Sequence, residues 1–115
     1  MIHGETSACY FSRGAYTVGK EILGESLDGI RLQVEKCDSF QGFLFYHSVV
    51  GGTGSGFTEI LSHELSVEYG KKTKMSYTVW PSPRLSNCVV EDYNALLCSS
   101  FLTEHSDVTV MLDNE

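Results

Sequence analysis

The sequence predicts an α/β domain built on a parallel sheet, in the order helix, strand, helix, strand, helix, strand. Three observations carry this prediction. Apolar residues recur at helical spacing in three segments, a short apolar run of strand length follows each segment, and the glycine-rich link GGTGSG at 51 to 56 joins the first such run to the second helix. Strands separated by helices imply crossover connections and therefore parallel pairing.

Residues 17 to 36 place Leu23, Leu27, Ile30 and Val34 on one face of a helix. Gly24 and Gly29 interrupt it, each at roughly 1 kcal/mol relative to alanine, so this helix must lean on packing. Residues 42 to 49 form a short apolar run bounded by turn residues, which reads as a buried strand. The second helix, 55 to 69, carries Phe57, Ile60, Leu61, Leu65 and Tyr69 as its apolar stripe, with Gly70 as its stop. Lys71, Lys72 and Lys74 beyond it read as a solvated charge run at the negative pole of the helix dipole. MSYTVW, 75 to 80, is the second strand, and Pro81 and Pro83 impose an extended loop reaching residue 87. The third helix, 89 to 101, takes Tyr93, Leu96, Leu97 and Phe101 as its apolar positions, and VTVML, 108 to 112, is the last strand.

A chain of 115 residues with 42% hydrophobic residues fits one domain. No apolar run approaches the roughly 18 residues of a membrane span, and no signal-peptide pattern is present, so a soluble cytoplasmic setting is expected. The net charge of −7 argues against general nucleic-acid binding. Cys9, Cys37, Cys88 and Cys98 lie far apart without a CxxC pair, and reduced thiols are the expected state rather than a metal or disulfide framework.

The residues 51 to 56 hold four glycines between an apolar strand and an amphipathic helix. Glycines admit positive φ and close approach of a ligand, and the N–H groups of a helix start attract phosphate. Thr53 and Ser55 add hydroxyls that can bond phosphate or cap the helix. Taken alone, the cluster is equally a glycine turn without a ligand. A Walker A loop requires Lys and Ser/Thr after its last glycine, where Phe57 and Thr58 stand. A dinucleotide fingerprint requires an acidic residue after the next strand, which ends Val79-Trp80-Pro81 instead. No Ser/His/Asp or Cys/His arrangement offers other chemistry: His47 sits in a strand pattern, His63 lacks an HExxH partner and His105 stands alone, so each reads as structural.

GGTGSG resembles the signature loop of the tubulin/FtsZ family of GTP-binding proteins. SRGAYTVGKE, QGFLFYHS, LSVEYGKKTK, VVEDYNALL and EHSDVTVMLDNE resemble further segments of that family in order, and the LSVEYGKKTK helix end favours its α-tubulin branch. The resemblance implies a three-layer Rossmann-like parallel sheet, with residues 1 to 115 as part of one GTPase domain, the second half of the nucleotide-binding unit. It implies GTP, with Mg2+, as the family's cofactors, β-tubulin or other tubulin chains as partners, and a place in the microtubule cytoskeleton. Carried over by residue, Gly51, Gly52, Thr53, Gly54 and Ser55 would cradle the nucleotide phosphates. Glu91 would accept hydrogen bonds from the ribose hydroxyls, or simply sit at a helix start where the dipole favours it. Ser86, in the loop flanking the sugar, is a further candidate. No catalytic or metal-ligating residue is assigned, and a GTPase activity of this chain stays open.

Several positions depart from the family pattern. Val50 stands where the loop opens with glycine, and its β-branch is expected to restrict the backbone before the cradle. Cys9 and Tyr10 replace paired asparagines, Thr6 replaces an acidic residue, and Asp92 replaces a proline. In the family, the strand 42 to 49 pairs on both sides, so its partner-free side is expected to form a bare edge prone to aggregation or capture. The alternative function is therefore a tubulin-interacting or degenerate fragment that does not bind nucleotide.

Overall fold

The computed structural model of the chain describes residues 7 to 82, 84 and 89 to 114. The expected alternation is observed. A π-helical turn, Arg13–Thr17, leads into α1, Val18–Glu35, and β1 follows at Gly42–Ser48. A second π-helical turn, Thr53–Phe57, leads into α2, Thr58–Glu68, followed by β2, Thr73–Trp80, α3, Glu91–His105, and β3, Val108–Asp113. The three strands are parallel in the order β1-β2-β3, with Gly42 opposite Thr73 and Met75 opposite Val108. Asp107 fixes the entry of β3: its carboxylate accepts the Lys74 N–H at 2.7 Å while its own N–H donates to the Lys74 carbonyl at 2.9 Å.

Strand alternation divides the sheet into two unlike faces. One carries Phe43, Phe45 and His47 of β1 beside Lys74, Ser76, Thr78 and Trp80 of β2, and this is the face the helices cover. The Phe43 ring meets Tyr69 past the end of α2 at 5.5 Å, and Trp80 packs against the cluster of Val49 with Ala95, Cys98 and Leu102 of α3. Ser76 and Thr78 are buried there, because each polar side chain is hydrogen-bonded within the layer. The other face is mainly apolar, with Leu44 and Tyr46, then Met75, Tyr77 and Val79, then Val108, Val110 and Leu112, and polar Thr73 and Ser48 at its two ends. Leu44 and Tyr46 are 51% and 73% exposed, and β1 is an edge strand among the described residues.

Four expectations are corrected. The inner face of α3 is Glu91, Asn94, Ala95, Cys98, Phe101 and Leu102, whereas Tyr93, Leu96 and Leu97 point outward. Of the expected apolar positions only Phe101 lies inward; periodicity missed the rest because the first turns of the buried side carry the polar or small residues Glu91, Asn94, Ala95 and Cys98, with Leu102 beyond them. Lys74 does not belong to a solvated charge run: it lies inside β2 and is only 6% exposed. Lys72 likewise turns back, donating to the Phe40 carbonyl at 2.9 Å. Finally, α2 does not end on a left-handed Gly70, since no described glycine has a positive φ; Tyr69 closes the helix with an N–H bond to Leu65.

α1 is joined to α2 by Arg31, which pairs with Asp28 in its own helix and with Glu68 of α2. All three groups are at the surface, where such pairs add little stability. The buried face of α1 rests on Leu27, with Leu23, Ile30 and Val34 half-buried beside it, as the spacing predicted.

Candidate functional site

The candidate residues gather at the carboxyl ends of β1 and β2, the side of an open α/β sheet where ligands bind. β1 ends at Ser48, whose hydroxyl accepts the Val50 N–H at 3.2 Å, and Val49 continues the pairing by donating to the Val79 carbonyl at 3.1 Å. The chain then turns directly into a helix. The Ser55 N–H donates to the Gly51 carbonyl at 3.1 Å as the first bond of that helix, so the N–H groups of Gly52, Thr53 and Gly54 precede its hydrogen-bonded ladder.

The glycines of this turn serve a different purpose from the one expected. None has a positive φ, and Gly52 is right-handed at φ −65°, ψ −38°. What they provide is proximity: a Cβ on Gly52 would stand 2.5 Å from the Tyr10 carbonyl, one on Gly54 would overlap the Ser48 carbonyl, and one on Gly56 would overlap the Phe11 carbonyl. Gly51 differs, with nothing within 4 Å of a Cβ. Val50 is accommodated without a left-handed backbone, and both its N–H and its carbonyl are hydrogen-bonded, so its β-branch imposes no visible constraint. The Ser55 hydroxyl bonds the Gly51 carbonyl at 2.5 Å and is fully buried, whereas exposed Thr53 shares a 3.2 Å bond with Ser7.

Asn94 organises the site, although nothing in the sequence reading singled it out. It is 2% exposed. Its Oδ1 accepts the Phe11 N–H at 3.0 Å, and its Nδ2 donates to the Cys9 carbonyl at 2.6 Å and the Val50 carbonyl at 2.8 Å. One side chain thus ties α3 to the segment entering α1 and to the turn after β1. The signal available was an asparagine, a poor helix former, inside a helical stretch one turn after Glu91. Glu91 is the first residue of α3, 4% exposed, and shares the face of Asn94 that looks toward the glycine turn. Ser86 lies outside the described residues. Ala8 and Cys9 adopt φ of 48° and 63°, and Cys9 occupies a position where the resemblance puts an asparagine, a residue that tolerates this region better.

His47 pins the turn from beneath. Its Nδ1 lies 2.8 Å from the Gly54 carbonyl, which only accepts, so Nδ1 carries the proton and Nε2 accepts from the Ser76 hydroxyl at 2.9 Å. Ser76 in turn receives the Thr78 hydroxyl at 3.3 Å. Burial holds the His47 pKa below its usual range, against the opposing bonds to Gly54 and Ser48. Since the folded pKa is the lower one, the unfolded chain binds the extra proton first. Stability supplied by neutral His47 is thus complete above about pH 6.5 and lost as pH falls from there toward the folded value. Denaturant titrations from pH 7.5 to 5 should show this loss, and His47→Gln should flatten it; an unchanged slope in the variant would refute the assignment.

The remaining chemistry is sparse. Cys9, Cys37 and Cys98 are free thiols, and burial pushes Cys98 up to about 12, so it is unreactive. His63 and His105 do not stand alone in space: their rings meet edge to face at 5.6 Å.

A sequence profile of the Tubulin/FtsZ family, GTPase domain, matches residues 1 to 115. The chain is 53% identical over 111 residues to "Tubulin alpha-1 chain" of Saccharomyces cerevisiae and 54% identical over 111 residues to "Tubulin alpha chain" of Trypanosoma cruzi. It is 53% identical to "Tubulin alpha-1B chain" of Physarum polycephalum. Each alignment covers 96% of this chain and 25% of the relative, so the chain spans about a quarter of the length of the curated relatives it matches.

Proposed function

The chain belongs to the tubulin/FtsZ family, and on that premise we propose that it is an α-tubulin-like part of a guanine-nucleotide-binding domain in a constituent of the microtubule cytoskeleton. The observation that carries this reading is the convergence of two helix starts, at Gly51 to Ser55 and at Glu91, on one end of the sheet, locked together by Asn94. The N–H groups at the first start suit phosphate oxygens, and the open space beside Gly51 lets a ligand approach the backbone. Glu91 and Ser86 would hold the ribose side. Among the described residues no group of three or more His, Cys, Asp or Glu side chains is arranged for a metal ion, so no residue is assigned to Mg2+. β-Tubulin or another tubulin chain is the expected partner, and the cytoplasm the expected compartment.

Gly51→Ala tests the cradle selectively. A Cβ there meets nothing in the protein, so stability should hold within about 0.5 kcal/mol. GTP binding, followed by calorimetric titration, should weaken about tenfold or more, because the methyl group fills the space the phosphate needs. Saturable GTP binding that ignores the substitution would remove the loop from the site. A second reading, an interaction module without nucleotide, is favoured by the uncovered apolar sheet face and by the exposure of Leu44 and Tyr46 on the β1 edge. Stoichiometric co-purification with tubulin in the absence of any GTP binding would select it.

A further inference from the structure

His47 is joined directly to the glycine turn above it: Nδ1 donates to the Gly54 carbonyl at 2.8 Å, and Nε2 accepts from Ser76 at 2.9 Å, with Thr78 lying 3.3 Å beyond. From β2 the facing side chains are Ser76 and Thr78, both buried and neither titrating near neutrality, with Lys74 one place further along the same face. On the helix side, burial and then Glu59 of α2 push up the pKa of Cys98 of α3, and neither group acts on His47. Burial, opposed by the bonds to the Gly54 and Ser48 backbone, sets the His47 pKa; no charged side chain adds to it. An imidazolium at this position would thus be withdrawn from water without a counter-ion.

We propose that a phosphate group bound at the glycine turn is that counter-ion, so that nucleotide binding and proton uptake by His47 are coupled. The proposal rests on the reading of Gly51 to Ser55 as a phosphate cradle and adds a proton to it. The coupling runs through the turn itself, because the carbonyl that His47 holds belongs to Gly54, one of the three residues whose N–H groups precede the helical ladder. A proton on Nε2 finds an acceptor without backbone movement: Ser76 can rotate its hydroxyl hydrogen away from the ring toward Thr78 and accept instead. Nδ1 keeps its bond to Gly54, which becomes charge-assisted and stronger. In the empty turn burial opposes this proton and keeps His47 neutral at pH 7. A bound phosphate supplies the missing negative charge and favours the imidazolium. The linkage is reciprocal, so the factor by which the anion raises proton affinity is the factor by which the proton raises anion affinity. A rise of about one unit in the His47 pKa makes the protonated chain bind about tenfold more tightly than the neutral one. Affinity therefore grows as pH falls below about 6.5, over the range where the empty chain loses stability.

The test follows the His47 ring of the 115-residue chain by NMR from pH 7.5 to 5, with and without saturating GTP. A His47 pKa about one unit higher in the presence of GTP is expected, with the ring of exposed His63 as the unchanged reference. In parallel, calorimetric titration compares GTP affinity of the unaltered chain and of His47→Gln at pH 7.5 and pH 5.5. The γ-phosphate of GTP titrates alike in both experiments, so a difference between the two pH profiles belongs to His47. The unaltered chain should gain affinity on acidification relative to the variant, by up to about tenfold. A His47 pKa that GTP leaves where it was would overturn the coupling and leave the cradle standing, as would parallel pH profiles for the two chains. GTP that binds at neither pH would overturn the cradle and the coupling with it. If His47→Gln does not fold, the NMR titration of the unaltered chain decides alone.

Discussion

Replacing Asn94 with alanine should lower the stability of the chain by about 2–4 kcal/mol, an effect out of proportion to the size of the side chain. Three backbone groups, the Phe11 N–H and the Cys9 and Val50 carbonyls, lose their partner inside a region only 2% exposed at Asn94 itself. Each buried polar group left unpaired costs about 1–3 kcal/mol, reduced where water enters the vacated space. Asn94→Asp separates the roles. It keeps an acceptor for Phe11 but sets a carboxylate against two carbonyl oxygens, so it should be at least as destabilising at pH 7 and recover partly on acidification, when one oxygen becomes a donor. Urea unfolding of both variants at pH 7 and pH 5 provides the measurement. A loss below about 1 kcal/mol for Asn94→Ala would mean that the two loops hold their positions without it.

The fold was legible wherever hydrophobic period and burial coincide. The Leu23, Leu27, Ile30, Val34 face of α1 and the Phe57, Ile60, Leu61, Leu65 stripe of α2 lie inward as their spacing requires. β1 reads as a strand from its apolar run, and among the described residues it lies at an edge, as the resemblance led us to expect. Legibility failed where polar groups are buried by hydrogen bonding. α3 turns Asn94 and Cys98 inward and leaves Leu96 68% exposed, and β2 hides Lys74, Ser76 and Thr78 beneath the helices. Propensity and hydropathy cannot foresee these choices, because the bonds that make them favourable come from residues as far away in sequence as Cys9 and His47. The same holds for the site. The glycine cluster and Glu91 could be located from sequence, but the reason for the glycines could not, since it lies in the backbone that approaches them.

That reason leads to the second large effect. Gly14→Ala and Gly56→Ala should each destabilise the chain by about 3 kcal/mol or prevent folding. A Cβ on Gly14 would overlap the Gly52 carbonyl, and one on Gly56 would overlap the Phe11 carbonyl and stand 2.7 Å from the Ala15 nitrogen. These neighbours are backbone, so no rotamer change relieves the contact; one π-helical turn must move off the other, opening the core between them. Helix propensity alone predicts the opposite sign, because alanine is favoured over glycine by roughly 1 kcal/mol in a helix interior. Gly24 of α1 is the internal reference: nothing lies within 4 Å of a Cβ there, and Gly24→Ala should raise the melting temperature by about 4–8 °C. If Gly14→Ala were to stabilise the chain as Gly24→Ala does, the close approach of the two turns would be refuted. With it would go the account of why glycines crowd this turn when none of them needs a left-handed backbone.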